Sequence, residues 1–108
     1  MHIKLSPMRH DTPLSLERAG DLLTFNGETV DFAQLPEGAT LPQEAIGCEW
    51  VRSDVTRIDG ELHLTLRLPH GPNAPHETRF PVPIIDPPDG PVALPVYSIP
   101  QEETDDVD

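Results

Sequence analysis

The residues of this 108-residue chain best suited to chemistry are five histidines and one cysteine. His70 and His76 share a loop, Glu77 follows the second, and His63 lies on the segment before them. Such a set would serve a metal-dependent enzyme, because zinc takes three or four N, S or O ligands in a tetrahedral array. Tight ligand pairs such as HxH, CxxC or HExxH are missing, and the proline-rich gap between His70 and His76 is a weak signal. The plainer reading makes them solvated imidazoles, so no metal and no cofactor is expected. Cys48 and His63 would form a nucleophile and base, but the strand register below separates them. A lone cysteine is more often a small buried residue. Ser15, Ser53 and Ser98 stand outside any G-x-S-x-G turn. The seven glycines are spread singly, so no phosphate-cradling loop exists. No catalytic residue is assigned, and a non-enzymatic function is expected.

Carboxylates are the abundant chemistry. Nineteen Asp and Glu against seven Lys and Arg give a net charge of −12. This disfavours nucleic acid and anionic membrane as partners, since both need positive charge to neutralise. With so many acids some close carboxylate pair is inevitable, so a glycosidase-type pair cannot be read from counts. The acid is uneven: residues 1–85 carry 12 acids and 7 bases, while residues 86–108 carry 7 acids and no base. The acidic end reads as a solubilising terminus, as a guard on an edge strand, or as a nucleic-acid mimic that inhibits a basic host protein.

The elements that would position these groups are short strands. Fourteen prolines argue against a helical bundle, because proline removes a helix hydrogen bond and clashes with the preceding turn. No apolar run approaches the ~20 residues of a membrane span. The first residues lack the apolar stretch of a secretory signal, and one cysteine cannot form an internal disulfide. A reducing cytoplasm is expected, with secretion by a signal-free route as the alternative.

Two hairpins carry the pattern. Asn26-Gly27 is a type I′ turn sequence. It places Phe25 opposite Glu28, Leu23 opposite Val30 and Asp21 opposite Phe32, which puts Leu23, Phe25, Val30 and Phe32 on one face. Asp59-Gly60 repeats the device between Cys48–Ile58 and Glu61–Leu68. Its register puts Val55 opposite Leu64, Ser53 opposite Leu66 and Val51 opposite Leu68. Leu62, Leu64, Leu66 and Leu68 then form an apolar row, with His63, Thr65 and Arg67 on the other face. Trp50 falls opposite Val51's face, so either that second face is partly covered or the strand bulges near Ser53-Asp54. Residues 2–8 and Leu14–Glu17 read as further strands. Pro42–Ile46 reads as one helical turn stopped by Gly47.

The segment Glu77–Ile85 has strand composition, and Pro81 and Pro83 share one parity, which marks an edge strand. Val92–Ile99 is apolar and proline-spaced. It either folds back on its own domain or lies in a partner's groove, as stiff extended segments do. Gln101–Asp108 is expected to be disordered.

The resulting expectation is an all-β fold. It is a small antiparallel domain of about seven short strands built from two hairpins, a sandwich or a roll, with a proline-rich extended C-terminal arm. Residues 1–85 form the domain and residues 86–108 the arm and tail. Phe80, Val82, Ile84, Leu94, Val96 and Tyr97 are the candidate partner-binding residues. Deleting residues 91–108 is expected to weaken partner capture while leaving the fold intact.

Several stretches resemble small uncharacterised proteins of tailed phages and prophages encoded near tail genes. They are Asp21–Phe32, Leu35–Pro42, Ile58–Pro75 and Phe80-Pro81, within roughly residues 21–85. The resemblance implies a phage accessory role in tail or tail-fibre assembly. It implies a protein partner, such as a tail or fibre component, and a location in the host-cell cytoplasm or on the virion. It supplies no catalytic motif. Self-association through the edge strand is a further expectation.

Overall fold

A computed structural model describes residues 1–98. The expectations for Ile99 and for the acidic stretch Gln101–Asp108 lie outside the described residues. In chain order the elements are β1 (His2–Arg9), β2 (Leu16–Ala19), β3 (Leu22–Phe25), β4 (Glu28–Asp31), β5 (Thr40–Leu41), α1 (Gln43–Ile46), β6 (Val55–Ile58), β7 (Glu61–His70), α2 (His76–Arg79), β8 (Ile84–Ile85) and β9 (Gly90–Pro91). The fold is all-β, with two single-turn helices. One sheet runs β5-β6-β7-β1-β8 and the other β4-β3-β2-β9.

Both turn sequences form as their chemistry demands. Asn26 and Gly27 take φ of 50° and 90°, and Asp59 and Gly60 take 52° and 79°. Two positive φ angles in sequence define the type I′ hairpin, which only Asn, Asp and Gly adopt readily. The first hairpin pairs Leu23 with Val30 and Phe25 with Glu28, as expected. The Phe32 amide donates to the Asp21 carbonyl at 3.0 Å, extending the same register. Leu23, Phe25 and Phe32 are buried, and Val30 packs against them.

The second hairpin holds its expected register only near the turn, with Arg57 opposite Leu62 and Thr56 opposite His63. Farther out Val51 pairs with Leu66, not with Leu68. The chain spends two more residues between Val51 and Thr56 than its partner does between His63 and Leu66. This is the bulge at Ser53-Asp54. Ser53 Oγ replaces the missing backbone acceptor and takes a hydrogen bond from the Thr65 amide at 2.9 Å. The bulge keeps Val51 and Val55 both in the core.

One pairing lies beyond local pattern. β1 runs parallel to β7, from His2 opposite His63 to Arg9 opposite His70, so the sheets are antiparallel except at this central pair. Parallel strands need a long crossover. Here it is the chain from His10 to Gly60, which contains most of the second sheet. The apolar parity matches: Ile3 pairs with Leu64 and Leu5 with Leu66.

The leucine row is buried throughout. Its members contribute roughly 1.5–3 kcal/mol each. Leu62, Leu64 and Leu66 share one cluster with Leu16, Leu23 and Phe25 of the other sheet and with Phe32 and Val92, which directly follow its strands β4 and β9. Arg57 ties the sheets at their polar margin. Its Nε donates to the Leu35 carbonyl at 2.6 Å, and Nη2 reaches the Phe32 carbonyl at 3.0 Å and Asp21 Oδ2 at 3.1 Å. Glu37 clamps the β6–β7 turn, accepting the Asp59 and Gly60 amides at 2.6 and 2.7 Å.

Residues 90–98, read from sequence as an arm, fold back on their own domain. β9 pairs with β2, and the Val92 amide donates to the Leu16 carbonyl at 2.9 Å. Val92 is buried, and Leu94 packs on the core. Gly71 must be glycine, because an added Cβ would lie 2.7 Å from Ser98 Cβ. The expectation that residues 91–108 can be removed without harm to the fold is therefore corrected: their first residues complete a sheet and fill the core.

Candidate functional site

The sequence 75–85 begins as helix, not strand. Pro75 leads into α2 with φ −72°, and its carbonyl accepts the Thr78 amide at 3.0 Å. Thr78 is fully buried and donates through Oγ1 to the Val96 carbonyl at 2.6 Å. That bond pins α2 against residues 94–97. The chain then runs through Pro81 and Pro83, which have no amide to donate, and joins the sheet only at Ile84-Ile85. The expected edge strand over Glu77–Ile85 is thus corrected to a two-residue edge strand beside β1, with Ile3 opposite Ile84.

This path opens an apolar groove of about 360 Å³ between residues 80–84 and residues 93–95. Leu5, Ile84 and Leu94 are half-buried in it, while Phe80 and Val82 are 65% and 78% exposed. Glu77 stands at its rim. Four of the six residues singled out from sequence, Phe80, Val82, Ile84 and Leu94, therefore line one groove. The other two do not. Val96 is 52% exposed but lies outside the lining. Tyr97 is committed inside the fold: its hydroxyl donates to the His10 carbonyl at 2.5 Å, and its carbonyl accepts the Gly71 amide at 2.8 Å.

The loop histidines His70 and His76 have separate surroundings. His76 packs on Phe80 with ring centroids 4.8 Å apart, and His70 Nδ1 lies 3.0 Å from the Gly71 carbonyl. Among the described residues no three His, Cys, Asp or Glu side chains are grouped as a metal ion would need. His63 stacks on His2 at 4.4 Å, across the parallel pair. Cys48 sits in the core, where burial pushes its thiol above the ordinary range, and the charges of Glu28 and Glu49 push the same way. A thiol held protonated is a poor nucleophile.

Near His2 lies a small ionic cluster that sequence reading missed. The Met1 ammonium donates to Glu61 Oε1 at 2.7 Å and to Asp86 Oδ1 at 2.9 Å, and His2 Nε2 is 3.4 Å from Glu61. Burial alone would lower the ammonium's pKa, but the two carboxylates outweigh it and hold it raised. The same ammonium, by its hydrogen bond, holds the Asp86 carboxyl below its usual value. These contacts join residues far apart in sequence, so no local pattern announces them.

Among the described residues no helix is long and apolar enough to cross a membrane. Comparisons with protein families, with curated proteins and with solved structures find no match.

Proposed function

We propose that this chain is a non-enzymatic phage or prophage accessory protein that binds another protein in tail or tail-fibre assembly. The observation that carries the binding role is the apolar groove, where Phe80 and Val82 stand largely exposed above Ile84 and Leu94. Exposed aromatic and aliphatic side chains around a concave apolar floor suit a partner's side chains. The floor is fixed by the core, so binding there costs little ordering entropy. The resemblance of residues 21–85 to small tailed-phage proteins supplies the setting.

The test is capture from phage-infected lysate by the tagged full chain and by its Phe80→Glu/Val82→Glu variant, read by mass spectrometry. A tail or fibre protein retained by the wild type and lost by the variant supports the proposal. Equal retention by both removes the groove from it, and capture of no tail or fibre protein removes the assembly role.

A further inference from the structure

The segment that closes the fold follows one strained residue. Asp86 takes φ of 50°. A residue other than glycine rarely takes a positive φ, and the residue before a proline favours φ near about −120°. Asp86 departs on both counts, since Pro87 and Pro88 follow it. Such strain persists only where the surroundings hold it. Here the Asp86 amide donates to the Met1 carbonyl at 2.8 Å, and its carboxylate accepts the Met1 ammonium at 2.9 Å.

The chain after Asp86 is tied to distant parts of the domain. Among the described residues, the hydrogen bonds of residues 87–98 all reach back to residues 10–78. Arg18 Nη1 donates to the Pro87 carbonyl, and the Gly20 amide donates to Asp89 Oδ1 at 3.0 Å. β9 pairs with β2, and Thr78 donates to the Val96 carbonyl. Tyr97 bonds His10 and Gly71, and the Asn73 amide donates to Ser98 Oγ at 3.2 Å. None of these contacts requires that the segment belong to the same copy of the chain.

We infer that two copies of this chain exchange residues 87–98, each seating its segment in the other's cradle, with Asp86 as the hinge. Exchange keeps each of these bonds and lets Asp86 return to extended backbone. What it gives up is the contact of the Asp86 carboxylate with Met1. Pro87 and Pro88 stiffen the connector, so a segment swung outward stays extended. The occupant is a second copy because segment and cradle already fit residue by residue. Reciprocal exchange is closed by two-fold symmetry, so it stops at a dimer. Copies of net charge −12 repel, but charges beyond ~8 Å are largely screened at physiological salt. A tethered segment has an effective concentration on the order of millimolar, so closed copies prevail in dilute protein. The apolar groove survives exchange, with its two walls supplied by two copies, and the inference stands without any partner bound there.

The experiment refolds the full chain from urea at physiological salt, at concentrations up to about a millimolar. Size-exclusion chromatography then separates monomer from dimer. The dimer fraction is expected to rise with concentration. Glu17→Cys/Pro91→Cys puts thiols at facing positions of β2 and β9, with Cα atoms within the ~4.4–6.8 Å that a disulfide spans. Oxidised monomer closes this bond within one chain. Oxidised dimer is expected to close it between chains and to run as a covalent dimer on a denaturing gel. Asp86→Asn, Asp86→Gly and Asp86→Val all lack the carboxylate, so their differences read the backbone alone. Relative to Asp86→Asn, the dimerisation constant is expected to fall about fivefold or more in Asp86→Gly and to rise about fivefold or more in Asp86→Val. Thermal midpoints establish that each variant is folded. Wild type that stays monomeric at every concentration overturns the inference. So does a dimer whose oxidised chains separate on the denaturing gel, which marks a surface contact between closed copies. Equal constants in the three Asp86 variants overturn it as well, since the hinge then stores no strain.

Discussion

The Arg57 guanidinium lies 3.1 Å from the Asp21 carboxylate, joining a strand of one sheet to the turn that opens a hairpin of the other. The Arg57 side chain is 13% exposed and that of Asp21 34%. Removing one partner of a buried pair costs ~3–5 kcal/mol. The partial exposure of Asp21 lowers this, so Arg57→Ala is expected to cost about 2–3 kcal/mol in urea unfolding. Asp21→Asn is expected to cost about 1 kcal/mol, because Arg57 keeps the Leu35 and Phe32 carbonyls. Equal losses in the two variants would mean that the carbonyl bonds contribute nothing.

Truncation tests the place of residues 90–98. A chain ending at Gly90 loses Val92 from the core and the support of Leu94. Burying an aliphatic side chain stabilises by ~1.5–3 kcal/mol, so the thermal midpoint is expected to fall by several degrees, which calorimetry reads directly. An unchanged midpoint would return this segment to the status of a detachable arm.

The hairpins were legible because their information is local: two Xaa-Gly turns and an alternating leucine row set register within a few residues. The bulge was only half legible. Trp50 signalled a conflict of faces, but its resolution depends on the Ser53 hydroxyl reaching the Thr65 amide, which no periodicity encodes. The parallel β1–β7 pair joins residues some sixty apart and left no local mark. Phe80, Val82, Ile84 and Leu94 were singled out as apolar residues among prolines, and the fold brings them to one groove. Tyr97, singled out with them, lies outside that groove, because only the fold places its hydroxyl on the His10 carbonyl.

Cys48 offers a check on the core. Its raised thiol pKa and its burial predict no reaction with a thiol-specific disulfide reagent in the native protein and full reaction in denaturant. Rapid native labelling would contradict the packing around Trp50 and Val51.

The Met1 ammonium and Asp86 give a pH signature with a definite sign. The ammonium's folded pKa is raised, so its stabilisation is complete below its ordinary value of 8.0 and is lost as pH rises through the folded value. Asp86's folded pKa is lowered, so its stabilisation is complete above 3.8 and is lost as pH falls through the folded value. The difference in thermal midpoint between wild type and Asp86→Asn is therefore expected to be widest between pH 3.8 and 8.0 and to close on either side. A difference independent of pH would exclude the ion pair as its source.

The central claim is that the groove at Phe80 is where a partner sits. Site-specific photo-crosslinking measures this most directly, with a benzophenone amino acid placed at Phe80 or, as control, at the exposed Ala33. In phage-infected cells the probe at Phe80 is expected to join the chain to one tail or fibre protein, while the probe at Ala33 does not. Crosslinks of equal yield from both positions, or none from Phe80, would contradict the account.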